Sequence, residues 1–207
     1  SILLVTNDFG PRAGGIETFI IGLLERMPKG EVIVYTSRQS GSESFDKKWL
    51  DNFGVKVIRD ASKILLPSPR VIRAVRKVIK QSKIEKVWFG AAAPLAISAR
   101  FLRVGNVKKI VALSHGHEVW WSKVFPFNLA MKEIARSVDV LTFLGDYTGS
   151  VIKKNFKGRA KLVKIAPGID INHFKPVRDL SKISEVRSEL KIGSEPLILS
   201  VGRLVHR

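Results

Sequence analysis

The 207-residue chain is 45% hydrophobic and 26% charged, the balance of a folded protein with room for one large α/β core, or for one core plus part of another. It holds no run of about 18 apolar residues, so no spanning helix is expected. The lack of cysteine removes disulfides and thiolate sites and is compatible with the cytoplasm.

Thirty-six Lys and Arg against eighteen Asp and Glu leave a charge of +18. Such an excess suits a polyanionic partner: an anionic bilayer, nucleic acid or a phosphorylated small molecule. Solvated surface lysines explain it equally well.

Ser1 to Val5 reads as a strand, without the basic region and cleavage site of a leader peptide. The strand ends at Asn7-Asp8, and after a loop Gly14-Gly15 opens a helix. There Ile16, Phe19, Ile20, Leu23, Leu24 and Met27 recur at the helical period and share one face. Glycines at a helix start let a ligand approach bare backbone, and the free N–H groups and dipole of the first turn favour a phosphate. The pair also fits a plain tight turn, with Asp8 and Glu17 as cap and first-turn residues. Its place after the first strand of an alternating chain favours ligand binding.

Strands are expected at 31–36, 55–58, 86–89, 109–113, 140–144 and 161–165. Between them fall helices at 45–53, from Pro69 to about Ser82, 94–104, 127–137, and from an Asp146 cap to Phe156. The second of these helices alternates Arg70, Arg73, Arg76, Lys77 and Lys80 with Val71, Ile72, Val75, Val78 and Ile79. It reads as a basic amphipathic helix, able to lie on a membrane or to pack on the core with a solvated outer face. Repeated strand–helix units imply an α/β, Rossmann-like parallel sheet with helices on both faces.

After Pro167-Gly168-Ile169-Asp170 the alternation breaks. The expected organisation is a first domain over 1–170, a linker and helix over 171–195, and a strand opening a second Rossmann-like domain over 196–207.

Asn7-Asp8-Phe9, Gly14-Gly15-Ile16-Glu17, His115-Gly116-His117-Glu118, Pro167-Gly168-Ile169-Asp170 and Ser200-Val201-Gly202-Arg203 follow one another in order. Together they resemble the amino-terminal half of a GT-B retaining glycosyltransferase of family 4. The Thr6-Asn7-Asp8-Phe9 start, with His-Gly-His-Glu-Val, is most similar to actinobacterial mannosyltransferases acting on phosphatidylinositol mannosides.

The resemblance implies a cleft between an acceptor-side domain and a donor-binding domain. It implies transfer of a hexose, mannose from GDP-mannose, to a phosphatidylinositol mannoside-type lipid, at an anionic membrane on the inner face of the cell. It places His115 beside the transferred sugar as the catalytic residue, and Gly14, Gly15 and Arg203 on the donor diphosphate. Asp8, His117 and Glu118 are expected at the acceptor or sugar. The donor is a substrate, so no cofactor is expected. Retention is expected by front-face attack, the departing phosphate taking the acceptor's proton. This chain, lacking the donor-side carboxylate pair, is expected to fold but not to transfer sugar.

Other readings are weaker. His115 and His117 two apart suit a metal pair, but no His-Glu-x-x-His pattern supports one. Ser114 lacks the Gly-x-Ser-x-Gly elbow of a hydrolase. No nucleic-acid signature accompanies the charge, so none is expected as partner. The glycines do not spell a dinucleotide fingerprint. Trp120 and Trp121 suit an acceptor-facing lip or core packing.

Overall fold

The computed structural model describes residues 1–154 and 160–200, and the chain divides into a unit over 1–168 and a second beginning at Ile169. In the first unit seven parallel strands form one sheet: β1 (Ile2–Thr6), β2 (Val32–Thr36), β3 (Lys56–Arg59), β4 (Lys86–Phe89), β5 (Lys109–Leu113), β6 (Val140–Phe143) and β7 (Lys161–Lys164). Their spatial order is β3-β2-β1-β4-β5-β6-β7. The seven strands expected over 1–170 are all present and in one sheet. The register aligns Leu4 with Val34 and Trp88, and Ala112 with Leu141.

Because alternate strand residues face opposite ways, the sheet carries two cores. Leu4, Val34, Trp88 and Leu113 pack with α1 (Gly15–Leu24) and α2 (Ser42–Phe53). All six apolar residues expected along α1 join that cluster. Leu3, Val5, Val87, Phe89, Ile110 and Leu141 face the other way. They meet α3 (Pro69–Gln81), a 3₁₀ helix (Leu95–Leu102), and, in the labels used below, α5 (Phe127–Ser137) and α6 (Asp146–Lys153). Helices on both faces explain why central strands are apolar throughout.

The basic helix forms as its sequence suggests. Ser68 caps it by accepting from the Val71 amide, Pro69 stands in the first turn, and Val71, Val75, Val78 and Ile79 are buried. Arg70 is held: its guanidinium donates to both carboxylate oxygens of Asp60 at 3.0 and 2.7 Å, and the Tyr35 hydroxyl donates to the same buried carboxylate. Arg73, Lys77 and Lys80 are exposed.

Several expectations are corrected. The helix expected over 94–104 is present over Leu95–Leu102 as a 3₁₀ helix, in which the Ser98 hydroxyl donates to the Leu95 carbonyl three residues back at 2.6 Å; such back-bonding competes with α-helical pairing. A helix not expected, α4 (Glu118–Lys123), follows β5; its Val and two Trp are weak helix formers, which hid it. Gly145, not Asp146, is the N-cap of α6; Asp146 lies in the first turn beside Lys164 Nζ at 2.7 Å. Phe156, the expected end of α6, lies outside the described residues.

The second unit contains α7 (Leu180–Glu189), capped by the Asp179 carboxylate at 3.0 Å from the Ser181 amide. The strand expected from Pro196 does not form over 196–200, where Ile198 is 95% exposed; the sheet does not include this segment, and a lone strand leaves its ladder groups unpaired. Residues 201–207, with Arg203, lie outside the described residues.

Gly90, just past β4, is a tight junction between β1, α1 and β4. A Cβ there would fall 2.5 Å from Thr6 Oγ1 and 2.7 Å from Ile20 Cδ1, both in fully buried residues. Gly90→Ala is therefore expected to destabilise the fold by about 1–3 kcal/mol through overpacking, read as a lower urea midpoint at unchanged slope.

Candidate active site at the carboxyl edge of the sheet

The strand order reverses direction between β1 and β4. Loops leaving the carboxyl ends of those strands diverge to opposite faces, and the crevice between them is where open α/β sheets bind ligands. The β1–α1 loop, the segment after β4 and the His-Gly turn after β5 meet there.

Asn7 closes the β1 side. Its Oδ1 accepts from the Leu65 amide at 2.7 Å and its Nδ2 donates to the Leu65 carbonyl at 3.0 Å, clipping the loop before α3 to the end of β1. Asp8 follows, its amide donating to Thr6 Oγ1 at 2.9 Å. Burial pushes its carboxyl above the ordinary carboxylate range; the negative charge of Glu17 adds to the rise, while Arg12, His115 and His117 oppose it. Asp8, Arg12, Glu17 and both histidines thus share one electrostatic environment.

The glycine pair differs from expectation. Gly14 is the N-cap of α1 with φ −169°, extended backbone open to any residue, and Gly15 is not left-handed either. What matters is space. A Cβ on Gly14 would lie 2.2 Å from Glu17 Oε2, whereas around Gly15 nothing lies within 4 Å. Glu17 is buried, and Arg12 donates to its Oε1 through Nε at 3.0 Å and through a terminal nitrogen at 2.9 Å. A carboxylate held by Arg12 therefore occupies the helix start beside Gly14, and Gly15 is the open backbone position.

His115 lies beyond β5, with its Nε2 2.7 Å from the Gly90 carbonyl and its ring edge-on to Phe19 at 5.7 Å between centroids. A carbonyl only accepts, so Nε2 carries a proton, and in the neutral ring Nδ1 is left with the lone pair. Strand geometry does not persist past Leu113: Gly116, at φ +105°, turns the chain. His117 Nε2 lies 3.5 Å from the Ala93 carbonyl, on the segment that also receives His115.

Glu118, expected at the acceptor or sugar, is fully buried and cannot touch either. Its Oε2 accepts from Ser114 Oγ at 3.0 Å, the His115 amide at 3.1 Å and the Gly116 amide at 3.1 Å. Trp120 is 53% exposed and packs on Phe127, as does Trp121. Among the described residues, no three His, Asp or Glu side chains form a metal-ligand set.

An open cavity of about 590 Å³ adjoins the β1–α1 loop, lined by Asn7, Arg12, Ser37, Gln39 and Lys63 among others. It shares Asn7 and Arg12 with the crevice but not the histidines. Asn7, Arg12 and Gly90 did not stand out as site residues in the sequence; the small run Gly90-Ala91-Ala92-Ala93 was the only trace of close packing after β4.

The Glycosyltransferase Family 4 profile matches residues 13–173, and the chain belongs to that family. Its fold is the Rossmann-like domain of GT-B enzymes. HepE of Anabaena, solved in complex with UDP, aligns with a TM-score of 0.65 at 16% identity over 92% of this chain and 50% of its own. A glycosyltransferase from Rickettsia africae aligns with a TM-score of 0.61 at 18% identity, over 93% of this chain and 50% of its own.

Among curated relatives, the GDP-mannose-dependent alpha-(1-6)-phosphatidylinositol monomannoside mannosyltransferase of Mycolicibacterium smegmatis is 37% identical over all of this chain and 53% of its own length. The enzyme of that name from Mycobacterium tuberculosis is 36% identical, over all of this chain and 54% of its own. A GDP-mannose-dependent monoacylated alpha-(1-6)-phosphatidylinositol monomannoside mannosyltransferase of Corynebacterium glutamicum is 34% identical, over 99% and 53%. The chain spans about half the length of these relatives.

Asp8 makes a prediction that separates fold from site. A carboxyl whose folded value lies above its unfolded one costs stability once pH passes the unfolded value, near 3.9. Asp8→Asn is therefore expected to match or exceed the parent in urea stability at pH 7, with the gain vanishing below about pH 4. A clear loss of stability at pH 7 would show that ionised Asp8 supports the fold.

Proposed function

We propose that this chain is the acceptor-side half of a retaining glycosyltransferase that moves mannose from GDP-mannose to a phosphatidylinositol mannoside-type lipid. The observation that carries this reading is the conjunction of full-chain identity to such mannosyltransferases with a crevice at the sheet's switch point, lined by Asp8, His115 and the start of α1. In this reading 171–195 is the linker to a donor-binding domain opening at 196–207, and Arg203, which lies outside the described residues, is assigned to the diphosphate.

The chemistry fits these side chains. Transfer passes through an oxocarbenium-like state as the diphosphate leaves with growing negative charge. The unpaired amides at the open Gly15 end of α1 stabilise that charge. Arg12, already shared with Glu17, adds positive charge beside it. His115, its Nε2 proton spent on Gly90, offers Nδ1 as an acceptor to a hydroxyl of the transferred sugar. Asp8 binds an acceptor hydroxyl. His117, more exposed, lies at the rim. The cavity's Arg12 and Lys63 match the phosphodiester of the acceptor.

The test is transfer of radiolabelled mannose by the intact enzyme. GDP-mannose with a phosphatidylinositol mannoside acceptor is expected to give product where other sugar nucleotides do not. His115→Ala is expected to lower the rate about 10²-fold, about 2.7 kcal/mol of barrier, with donor affinity nearly unchanged. The 207-residue chain alone is expected to be inactive. Turnover by that chain would overturn the assignment of the donor site to residues beyond it.

The lipid acceptor implies a membrane surface. Among the described residues no helix is long and apolar enough to cross a bilayer. The outer face of α3 presents Arg73, Lys77 and Lys80, with Arg76 beside them. Ile64 and Leu66, just before the helix, are 66% and 57% exposed. This cationic face and the exposed apolar side chains that precede it support peripheral binding at the cytoplasmic leaflet. Binding to anionic liposomes is expected to weaken with salt and with Gln at Arg73, Arg76, Lys77 and Lys80. Equal binding to neutral liposomes at every salt concentration would rule out an electrostatic attachment.

A further inference from the structure

We propose that Glu118 is a positioning residue for His115: it takes no part in binding sugar or acceptor and instead fixes the turn that aims the His115 ring. The proposal rests on the transferase reading for its kinetic consequence, but not for its structural one.

Glu118 is fully buried at the first position of α4, and three donors converge on its Oε2: the Ser114 hydroxyl and the amides of His115 and Gly116. Hydrogen bonds to a charged acceptor are roughly twice as strong as neutral ones. A buried carboxylate is tolerated only with such partners. Its second oxygen, Oε1, has no hydrogen-bond partner; His117 Nε2 lies 3.4 Å away but outside hydrogen-bonding geometry. A carboxylate kept in the interior with one oxygen unsatisfied is there for what the other oxygen holds.

What it holds is the main chain on both sides of His115. Ser114 is tied to β6 through its amide and the Thr142 carbonyl at 3.0 Å. Gly116 supplies the φ of +105° that lets the chain turn back toward Glu118. With the backbone pinned at 114, 115 and 116, the ring of His115 reaches Gly90 with its Nε2 proton and rests against Phe19. Without Oε2, two amides and a hydroxyl lose their acceptor together, and the turn relaxes toward solvent. A misplacement of about 1 Å in a reacting geometry costs about 10² in rate.

The test pairs kinetics with a spectroscopic readout. In the intact transferase, Glu118→Ala is expected to lower kcat about 10²-fold with KM for GDP-mannose unchanged, and the double variant with His115→Ala to be no slower than His115→Ala alone. Glu118→Gln, whose amide oxygen still accepts, is expected to retain kcat within about tenfold.

In the 207-residue chain, two-bond proton–nitrogen spectra are expected to report the Nε2–H tautomer of His115 in the parent and in Glu118→Gln. Glu118→Ala is expected to give an averaged pattern. If Glu118→Ala does not fold, Glu118→Asp, which withdraws the oxygen by one methylene, is read by the same criteria. Parent-like kcat in folded Glu118→Ala (or in Glu118→Asp where it stands in), additive losses in the double variant, or an unchanged His115 pattern alongside a lowered kcat in that variant would each overturn the proposal. Absence of transfer by the unmodified enzyme overturns the function instead and leaves the ring readout to stand.

Discussion

The contact on which the site depends is the closure of β1 against β4 at Gly90. Thr6, Ile20 and Gly90 meet with no room for a Cβ. That closeness sets three things at once. It lets α1 lie over the carboxyl end of β4, it fixes where the chain after β4 departs for the opposite face, and it presents the Gly90 carbonyl to His115. A larger residue would push the α1 start and the His-Gly turn apart, since packed interiors do not absorb an added carbon without moving neighbours. The crevice is thus a product of a packing constraint one layer beneath it.

Charge in the site is arranged in opposition rather than in excess. Against a net charge of +18, the crevice gathers two carboxylates, Asp8 and Glu17, around one guanidinium and two imidazoles. Burial and the neighbouring Glu17 raise Asp8, which suits a group that exchanges hydrogen bonds with sugar hydroxyls. Part of the positive surplus lies elsewhere, on the outer face of α3. There the Asp60–Arg70–Tyr35 cluster anchors the helix start to the sheet: hydrogen bonding to Arg70 holds the Asp60 carboxyl well below the usual range, and burial, helped by Asp60, pushes the Tyr35 hydroxyl well above its own. Arg70 is thereby spent on the fold, and the later cations of the helix remain for a partner.

Each acid at this edge has a distinct task set by its surroundings. Glu17 fills the space that a Cβ on Gly14 would need and takes Arg12. Asp60 binds α3 to β2. Glu118 secures the His-Gly turn from below. Only Asp8 is left partly open beside the histidines. These four carboxylates are sorted by burial and by partner, the two quantities that decide whether a charged group is a fixture or a tool.

The sequence by itself determined the alternation of seven strands with helices, because the strands are short runs bounded by turn residues and helices such as α1 and α3 carry a 3.6-residue apolar face. It also determined that Asp8, Gly14, Gly15 and His115 gather at one edge, since all follow the carboxyl ends of parallel strands. Only the tertiary structure decided what these residues do there. That His115 and His117 both meet the segment after β4, at the Gly90 and Ala93 carbonyls, depends on how the chain turns at Gly116. That Glu118 is internal depends on α4, whose aromatic residues gave no helical signal. Gly90 and Asn7 matter through partners 84 and 58 positions away in sequence, Thr6 and Leu65. Periodicity records which face of an element is buried; it holds no record of which distant backbone atom a side chain meets, and the chemistry of the site lies in those meetings.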